Sequence, residues 1–162
     1  MPRALDLALL RLLRTRGHPP ALERAVLAFS RSGEHGGIWQ ALCVLGLAFD
    51  PPRRPLYRRT MRIVMLAYLA NIALKYAVRR PRPVLEGWPA LSSTVTGLSY
   101  PSAHSTTSFA AARALSRELP PAPAYAAAMA MALSRPYAGV HYPSDILAGA
   151  AFGTALAELL AP

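Results

Sequence analysis

Three short stretches of this chain gather the residue types that could do chemistry. The last of them runs Ser134-Arg135-Pro136-Tyr137-Ala138-Gly139-Val140-His141-Tyr142-Pro143-Ser144-Asp145 and lies between two apolar segments. Arginine suits a phosphate because its planar fork donates two hydrogen bonds at once. Histidine can be a nucleophile or a proton carrier near neutral pH. An aspartate four residues on, Asp145, can hold one nitrogen of His141 and leave the other with a free lone pair. Arg, His and Asp at the edge of a membrane segment are costly to keep there without a use.

Two further pieces lie upstream. In Lys75-Tyr76-Ala77-Val78-Arg79-Arg80-Pro81-Arg82-Pro83, Lys75 and Arg82 are seven residues apart. In a helix that is about two turns, so both would face one way. Pro81 and Pro83 would end the helix. Arg82, which precedes Pro83, is then the residue freed to bend over a ligand. Arg79 and Arg80 read as contacts to lipid headgroups. Pro101-Ser102-Ala103-His104 opens an apolar helix, where free backbone N–H groups attract anions.

The elements that must position these residues are apolar helices. The chain has 162 residues, 53% of them hydrophobic and 16% charged, which is one domain poor in solvated surface. One cysteine, Cys43, excludes an internal disulfide and a cysteine metal cluster, and reads as packing. The net charge of +10 is mostly arginine flanking apolar blocks. That favours anionic lipid headgroups and a phosphorylated substrate over nucleic acid. Residues 1–16 lack a small-residue cleavage site and do not read as a signal peptide.

The segmentation predicts an all-α membrane bundle of about five spanning helices behind two N-terminal ones. Residues 2–16 read as an amphipathic helix lying on the membrane, and 21–31 as a second short helix. The predicted spans are 36–49, 60–78, 102–119, 124–133 and 144–160. Residues 79–100 form a long polar connection of the kind that usually carries function. Two units are expected: 1–32, interfacial, and 33–162, the membrane-embedded core. Alternating spans would bring all three motifs to one membrane face. Arginines on both faces nearly cancel under the positive-inside rule. The cost of moving the arginine-rich N-terminal helices across a membrane favours a cytoplasmic site. Gly149 and Gly153 are spaced for close helix packing, either within one chain or as a seam of a homo-oligomer. Tyr137 and Tyr142 read as interfacial anchors, and Glu34, His35 and Glu86 as solvated surface near the site, with contact to a sugar headgroup as the alternative.

Taken together, Lys-x6-Arg-Pro, Pro-Ser-x-His and Ser-Arg-x5-His-x3-Asp run from Lys75 to Asp145 and resemble the type 2 phosphatidic acid phosphatase family of membrane lipid phosphatases. The resemblance implies an all-helical bundle and a metal-independent, cofactor-free mechanism through a phosphohistidine. It implies that His141 attacks phosphorus, Asp145 orients it, and His104 serves as acid and then base. It implies that Lys75, Arg82 and Arg135 hold the phosphoryl oxygens, with Ser102, Ser134 and the N–H groups of Ala103 and His104 completing the cradle. The family usually has glycine where Ala103 stands; a methyl group leaves the N–H available at negative φ. Gly33-Glu34-His35, residues 98–107 and residues 131–135 are similar to short actinobacterial members. That implies an integral protein of the bacterial plasma membrane acting on a polyprenyl-linked phosphate, such as decaprenylphosphoryl-5-phosphoribose, in cell-wall precursor synthesis. The alternatives are undecaprenyl diphosphate, phosphatidylglycerol phosphate and phosphatidic acid. A vanadate-type haloperoxidase would share the constellation but be larger and soluble, and a non-catalytic scaffold would need neither histidine.

Overall fold

A computed structural model of the chain describes residues 3–160, so the first two residues of the predicted interfacial unit and the last two of the predicted core lie outside the described residues. The fold is all-α, with helices α1 (Arg3–Thr15), α2 (Pro20–Ser32), α3 (Gly37–Phe49), α4 (Arg54–Val78), α5 (Ala103–Leu115), α6 (Pro121–Tyr137) and α7 (Pro143–Leu160). Prolines set many of the boundaries. Pro55 sits in the first turn of α4, Pro20 opens α2 and Pro121 opens α6, where a missing N–H costs nothing.

The expectation of five spanning helices is overturned. Among the described residues, only the helical stretch Pro51–Val78 is long and apolar enough to cross a membrane. The predicted spans at 36–49 and 102–119 are helices of 13 residues each. At 1.5 Å per residue they reach about 20 Å, short of a hydrocarbon core of about 30 Å. The predicted span at 124–133 belongs to a 17-residue helix that ends at Tyr137 and carries Arg135 in its last turn. The last, α7, has 18 residues but carries Asp145 and Glu158 and is diluted by small residues. Apolar blocks in the sequence therefore mark helices of a closely packed bundle rather than separate crossings, and alternation of crossings is not what gathers the motifs. Large apolar side chains nonetheless face outward on α3 and α4, among them Leu45, Phe49, Met65 and Leu69. Such exposure is unusual for a protein bathed in water and suits association with a membrane.

The bundle is built around α5. Its alanines Ala110, Ala111, Ala112 and Ala114 are buried, and so are Ser105, Thr106, Thr107 and Ser108. Small side chains let neighbours come close. A Cβ on Gly153 of α7 would lie 2.1 Å from the Thr106 carbonyl oxygen, and one on Gly149 would lie 2.7 Å from that of Ser102. Gly149 and Gly153 thus face α5 of their own chain, which leaves them unavailable as a seam between copies. The buried hydroxyls are satisfied, as buried polar groups must be. Ser105 Oγ donates to the Ile146 carbonyl at 2.6 Å, Trp39 Nε1 donates to Ser108 Oγ at 2.8 Å, and Asn71 Nδ2 donates to Thr106 Oγ1 at 2.9 Å. One apolar cluster joins Trp39, Cys43, Leu56, Tyr57 and Val64 to α5 and to Ala128 of α6. Cys43 is therefore a packing residue.

Helix α1 is amphipathic in an unexpected way. Asp6, Leu10 and Arg14, four residues apart, form its buried stripe, while Leu5 and Leu12 face outward. Arg14 Nη2 donates to the Pro89 carbonyl at 2.9 Å, pinning α1 to the 79–100 connection. That connection is not structureless. It folds back on itself, with the Arg82 N–H donating to the Gly97 carbonyl at 3.1 Å and the Ser99 N–H to that of Arg80 at 2.8 Å.

Candidate active site

Lys75, Arg82, Ala103, His104, Arg135 and His141 line one cavity of about 360 Å³. Residues from all three motifs therefore meet, although not quite as the sequence suggested. Helix α4 stops at Val78, where Arg79 takes the left-handed conformation at φ 54° and its N–H bonds the Lys75 carbonyl. Lys75 is thus helical and Arg82 is not; they do not share a helix face. They reach the same cavity because the connection folds back over the end of α4. Lys75 Nζ donates to the carbonyls of Pro101 at 3.0 Å and Leu98 at 3.2 Å.

His141 sits in the turn between α6 and α7 and is almost completely buried. Its Nδ1 lies 3.4 Å from Asp145 Oδ2, which also accepts the Tyr142 N–H at 2.9 Å. Arg82 Nη1 donates to the Val140 carbonyl at 2.8 Å and lies 3.1 Å from His141 Nε2. A guanidinium can only donate, so Nε2 is the acceptor nitrogen and Nδ1 carries the proton toward Asp145. The free lone pair is therefore on Nε2, the atom nearest the cations. Burial, then the guanidiniums of Arg82 and Arg135, hold His141 well below the usual imidazole range. The ring is neutral at physiological pH, the state a nucleophile needs. Burial pulls Arg82 and Arg135 down to about 10, which leaves both cationic near neutrality. One consequence is measurable. Replacing Arg82 by Gln removes a cation that opposes the imidazolium, so the pKa of His141 rises. The acid limb of kcat/KM is expected to move to higher pH, together with a loss of about 10²-fold in kcat/KM from the missing phosphate contact. A pH–rate profile of the Arg82→Gln variant checks both.

His104 is the second residue of α5. Its Nε2 lies 3.1 Å from the Ser30 carbonyl, an acceptor, so Nε2 carries a proton. Burial, followed by Arg135, keeps His104 below its ordinary pKa. Ser30 was not foreseen. Besides holding His104, its Oγ accepts from Arg135 Nη1 at 2.6 Å and lies 3.0 Å from Ser134 Oγ. Nothing in the α2 sequence marks this serine. Arg135 Nε is buried without a hydrogen-bond partner, leaving a charged donor to spare beside the cavity.

Three predicted residues do not line the cavity. Asp145 stands behind His141, as an orienting group should. Ser102 caps α5, accepting from the Ser105 N–H at 3.4 Å, and its own N–H donates to the Asp145 carbonyl at 3.0 Å. Ser134 Oγ donates back to the Met131 carbonyl at 2.6 Å. The hydroxyls expected in the cradle are thus spent on helix ends, and the N–H groups of Ala103 and His104 remain the backbone donors of that wall.

Other residues depart from their sequence reading. Arg80 is no headgroup contact. Its Nη1 donates to Asp145 Oδ1 at 2.8 Å and to Ser144 Oγ at 2.7 Å, and its Nη2 donates to Asp6 Oδ2 at 2.7 Å. Its guanidinium lies 4.0 Å over the Tyr142 ring. Tyr137 stacks on His18 with ring centroids 3.9 Å apart. Glu34, His35 and Tyr68 line the cavity, and His35 Nδ1 lies 2.6 Å from Tyr68 Oη. Among the described residues, no three His, Cys, Asp or Glu side chains cluster in a way that could hold a metal ion.

Comparison with known proteins gives this geometry a family. The sequence model of the PAP2 superfamily matches residues 59–161. A decaprenylphosphoryl-5-phosphoribose phosphatase of Mycolicibacterium smegmatis is 36% identical over 149 residues, which cover 91% of this chain and 82% of that protein. A protein of the same description from Mycobacterium tuberculosis is 33% identical over 141 residues, 87% of this chain and 80% of the relative. The crystal structure of Aquifex aeolicus LpxE superposes with a TM-score of 0.83 at 28% identity, covering 96% of this chain and 94% of that one. A transmembrane PAP2-type phosphatidylglycerolphosphate phosphatase from Bacillus subtilis shares the fold, with a TM-score of 0.80 at 23% identity over 98% and 83% of the two chains. Buried cations, two histidines and a carboxylate in this order and this fold leave one assignment: the chain belongs to the PAP2 superfamily and is a membrane-associated hydrolase of lipid phosphates.

Proposed function

We propose that the chain hydrolyses a phosphate monoester on a polyprenyl-linked sugar, with decaprenylphosphoryl-5-phosphoribose as the substrate of choice, in the plasma membrane of a bacterium. The observation that carries the mechanism is the orientation of His141. Its proton-bearing Nδ1 is turned to Asp145 and its lone pair at Nε2 is turned to Arg82 in the cavity. Arg82, Arg135 and Lys75 take the phosphoryl oxygens, and Arg82 exchanges Nε2 for a phosphoryl oxygen as substrate arrives. The doubly negative phosphate then favours protonation of His104. In the first step Nε2 forms a bond to phosphorus while the P–O bond to the sugar breaks, and the leaving oxygen takes a proton from His104. In the second, His104 takes a proton from water, whose oxygen attacks phosphorus. The N–P bond breaks, its electron pair returns to Nε2, and inorganic phosphate leaves. None of these steps calls on a metal ion.

Support for a sugar headgroup comes from the cavity wall. Glu34 is the one carboxylate among the lining residues, beside His35, Tyr68, Ser93, Thr94 and Thr96. A carboxylate repels phosphate but accepts hydrogen bonds from hydroxyls. The named activity of the mycobacterial relatives is consistent with this chemistry. The test is phosphate release in detergent with a chelator present, on polyprenyl phosphoribose, undecaprenyl diphosphate, phosphatidylglycerol phosphate and phosphatidic acid. Chelator-resistant release, fastest from polyprenyl phosphoribose, is the expected result. Release abolished by the chelator would overturn the mechanism, and a faster rate on another lipid would reassign the substrate.

A further inference from the structure

We propose that Asp6 is a positioning residue that keeps a net negative charge behind His141 by offsetting Arg80. This inference rests on His141 being the nucleophile. Asp145 has two oxygens and two duties. Oδ2 faces His141, while Oδ1 accepts a short ion pair from Arg80. An arginine placed there cancels the charge that Asp145 offers the imidazole. The cancellation matters because attack on phosphorus through Nε2, with Nδ1 still protonated, leaves a cationic ring. Asp6 restores the balance. Its carboxylate takes Arg80 Nη2 at 2.7 Å, the Ser144 N–H at 2.9 Å and the Ser144 hydroxyl. Asp145, Arg80 and Asp6 together carry one net negative charge, and Asp6 and Asp145 are both essentially inaccessible to solvent. Burial opposes ionisation of Asp6, but the hydrogen bonds from Ser144 and Arg80 hold it below the usual carboxylate range, so it is charged at neutral pH.

The geometry also explains why the second carboxylate comes from so far along the chain. The 79–100 connection brings Arg80 between α1 and α7. The stripe Asp6, Leu10, Arg14 docks α1 there, with Arg14 tied to Pro89. The charged and titratable groups that face the His141 cavity from the other elements are Tyr68 and Lys75 on α4, Arg82 on the connection, His104 on α5, Arg135 on α6, and Glu34 and His35 before α3. None of them is altered by changes at positions 6 or 80.

Removing each member of the pair therefore shifts His141 in opposite directions. Asp6→Asn removes a negative charge, disfavours the imidazolium and moves the acid limb of kcat/KM to lower pH. Arg80→Gln removes a positive charge and moves it to higher pH. Each shift is expected to be roughly half a pH unit or more. With polyprenyl phosphoribose in detergent micelles, kcat of Asp6→Asn falls about 10-fold while KM changes less than about 2-fold, because the loss is confined to the charged transition state. The double variant Asp6→Asn/Arg80→Gln again has one net negative charge and recovers most of the kcat. The titration of the substrate phosphate is common to all variants and drops out of the comparison. Shifts in the same direction, no shift, or a double variant slower than Asp6→Asn would overturn the proposal, since a mere brace loses more with each deletion. If Asp6→Asn does not fold, Arg80→Gln decides alone: an upward shift supports the proposal and any other result sinks it. A His141→Ala variant assayed in parallel separates the two readings. Activity retained in that variant removes the nucleophile assignment itself, whereas an inactive His141→Ala beside unshifted profiles removes only the role of Asp6.

Discussion

His141→Ala is expected to lower kcat by about 10⁴-fold or more, the scale seen when a covalent nucleophile is deleted from an intact site. The same variant should fail to form an acid-labile, base-stable phosphoprotein when labelled lipid phosphate is mixed and quenched. His104→Ala separates the two steps. With a poor leaving group it should be slow to form the phosphoenzyme, and with an activated aryl phosphate it should accumulate it, because only the water step still needs the base. Two independent signals are therefore available from one pair of proteins: rate and covalent label. Labelling that persists in His141→Ala would show that another side chain attacks phosphorus. The rivals are the other two histidines that line the cavity, His35 and His104.

The largest expected effect on stability is at Gly153. A methyl group there would stand 2.1 Å from the Thr106 carbonyl oxygen and 3.1 Å from the Ala110 nitrogen, both backbone atoms of the central helix. Neither can swing aside, so α7 must retreat from α5. Alanine ordinarily improves a helix interior by up to about 1 kcal/mol over glycine. Here overpacking is expected to outweigh that gain and cost about 3 kcal/mol net, a fall of roughly 10 °C in the thermal midpoint for a chain of this size. Gly97→Ala is the control. It has open space around its Cβ and should stay within about 0.5 kcal/mol of the parent. Thermal unfolding in detergent, followed by far-UV circular dichroism, compares them. A Gly153→Ala midpoint equal to the parent would show that the α5–α7 contact is looser than the geometry given above.

The residues that meet in the cavity were legible because charged and titratable residues stand out in an apolar chain. Lys75, Arg82, His104, Arg135 and His141 were identifiable from type and spacing, and each of them lines the cavity. Spacing could not say how the backbone runs between them, so Lys75 and Arg82 were placed two turns apart on one face, whereas the helix ends three residues after Lys75 and Arg82 lies beyond it. Ser102 and Ser134 were misplaced for a related reason. A hydroxyl beside a helix end has two natural partners, ligand and backbone, and in both cases the backbone took it. The number of crossings was misread because an apolar block says that a segment is buried, not what buries it; α5 is buried by α4, α6 and α7. Asp6 and Ser30 were illegible. A lone acid in an Arg- and Leu-rich helix, or a lone serine in an amphipathic one, has no local signature. Their meaning is set by residues 74 and 105 positions away.

The region that matches the superfamily begins at residue 59. It carries every motif residue, and yet the carbonyl that holds His104, the hydroxyl that holds Arg135 and the carboxylate that holds Arg80 all come from the 30 residues at the other end of the chain. A fragment cut at the family boundary would keep its signature and lose its supports. For protein engineering, the smallest working unit of this enzyme is thus not the smallest recognisable one. Chimeras that exchange the first two helices between relatives would transplant part of the active-site wiring along with what looks like a surface appendage.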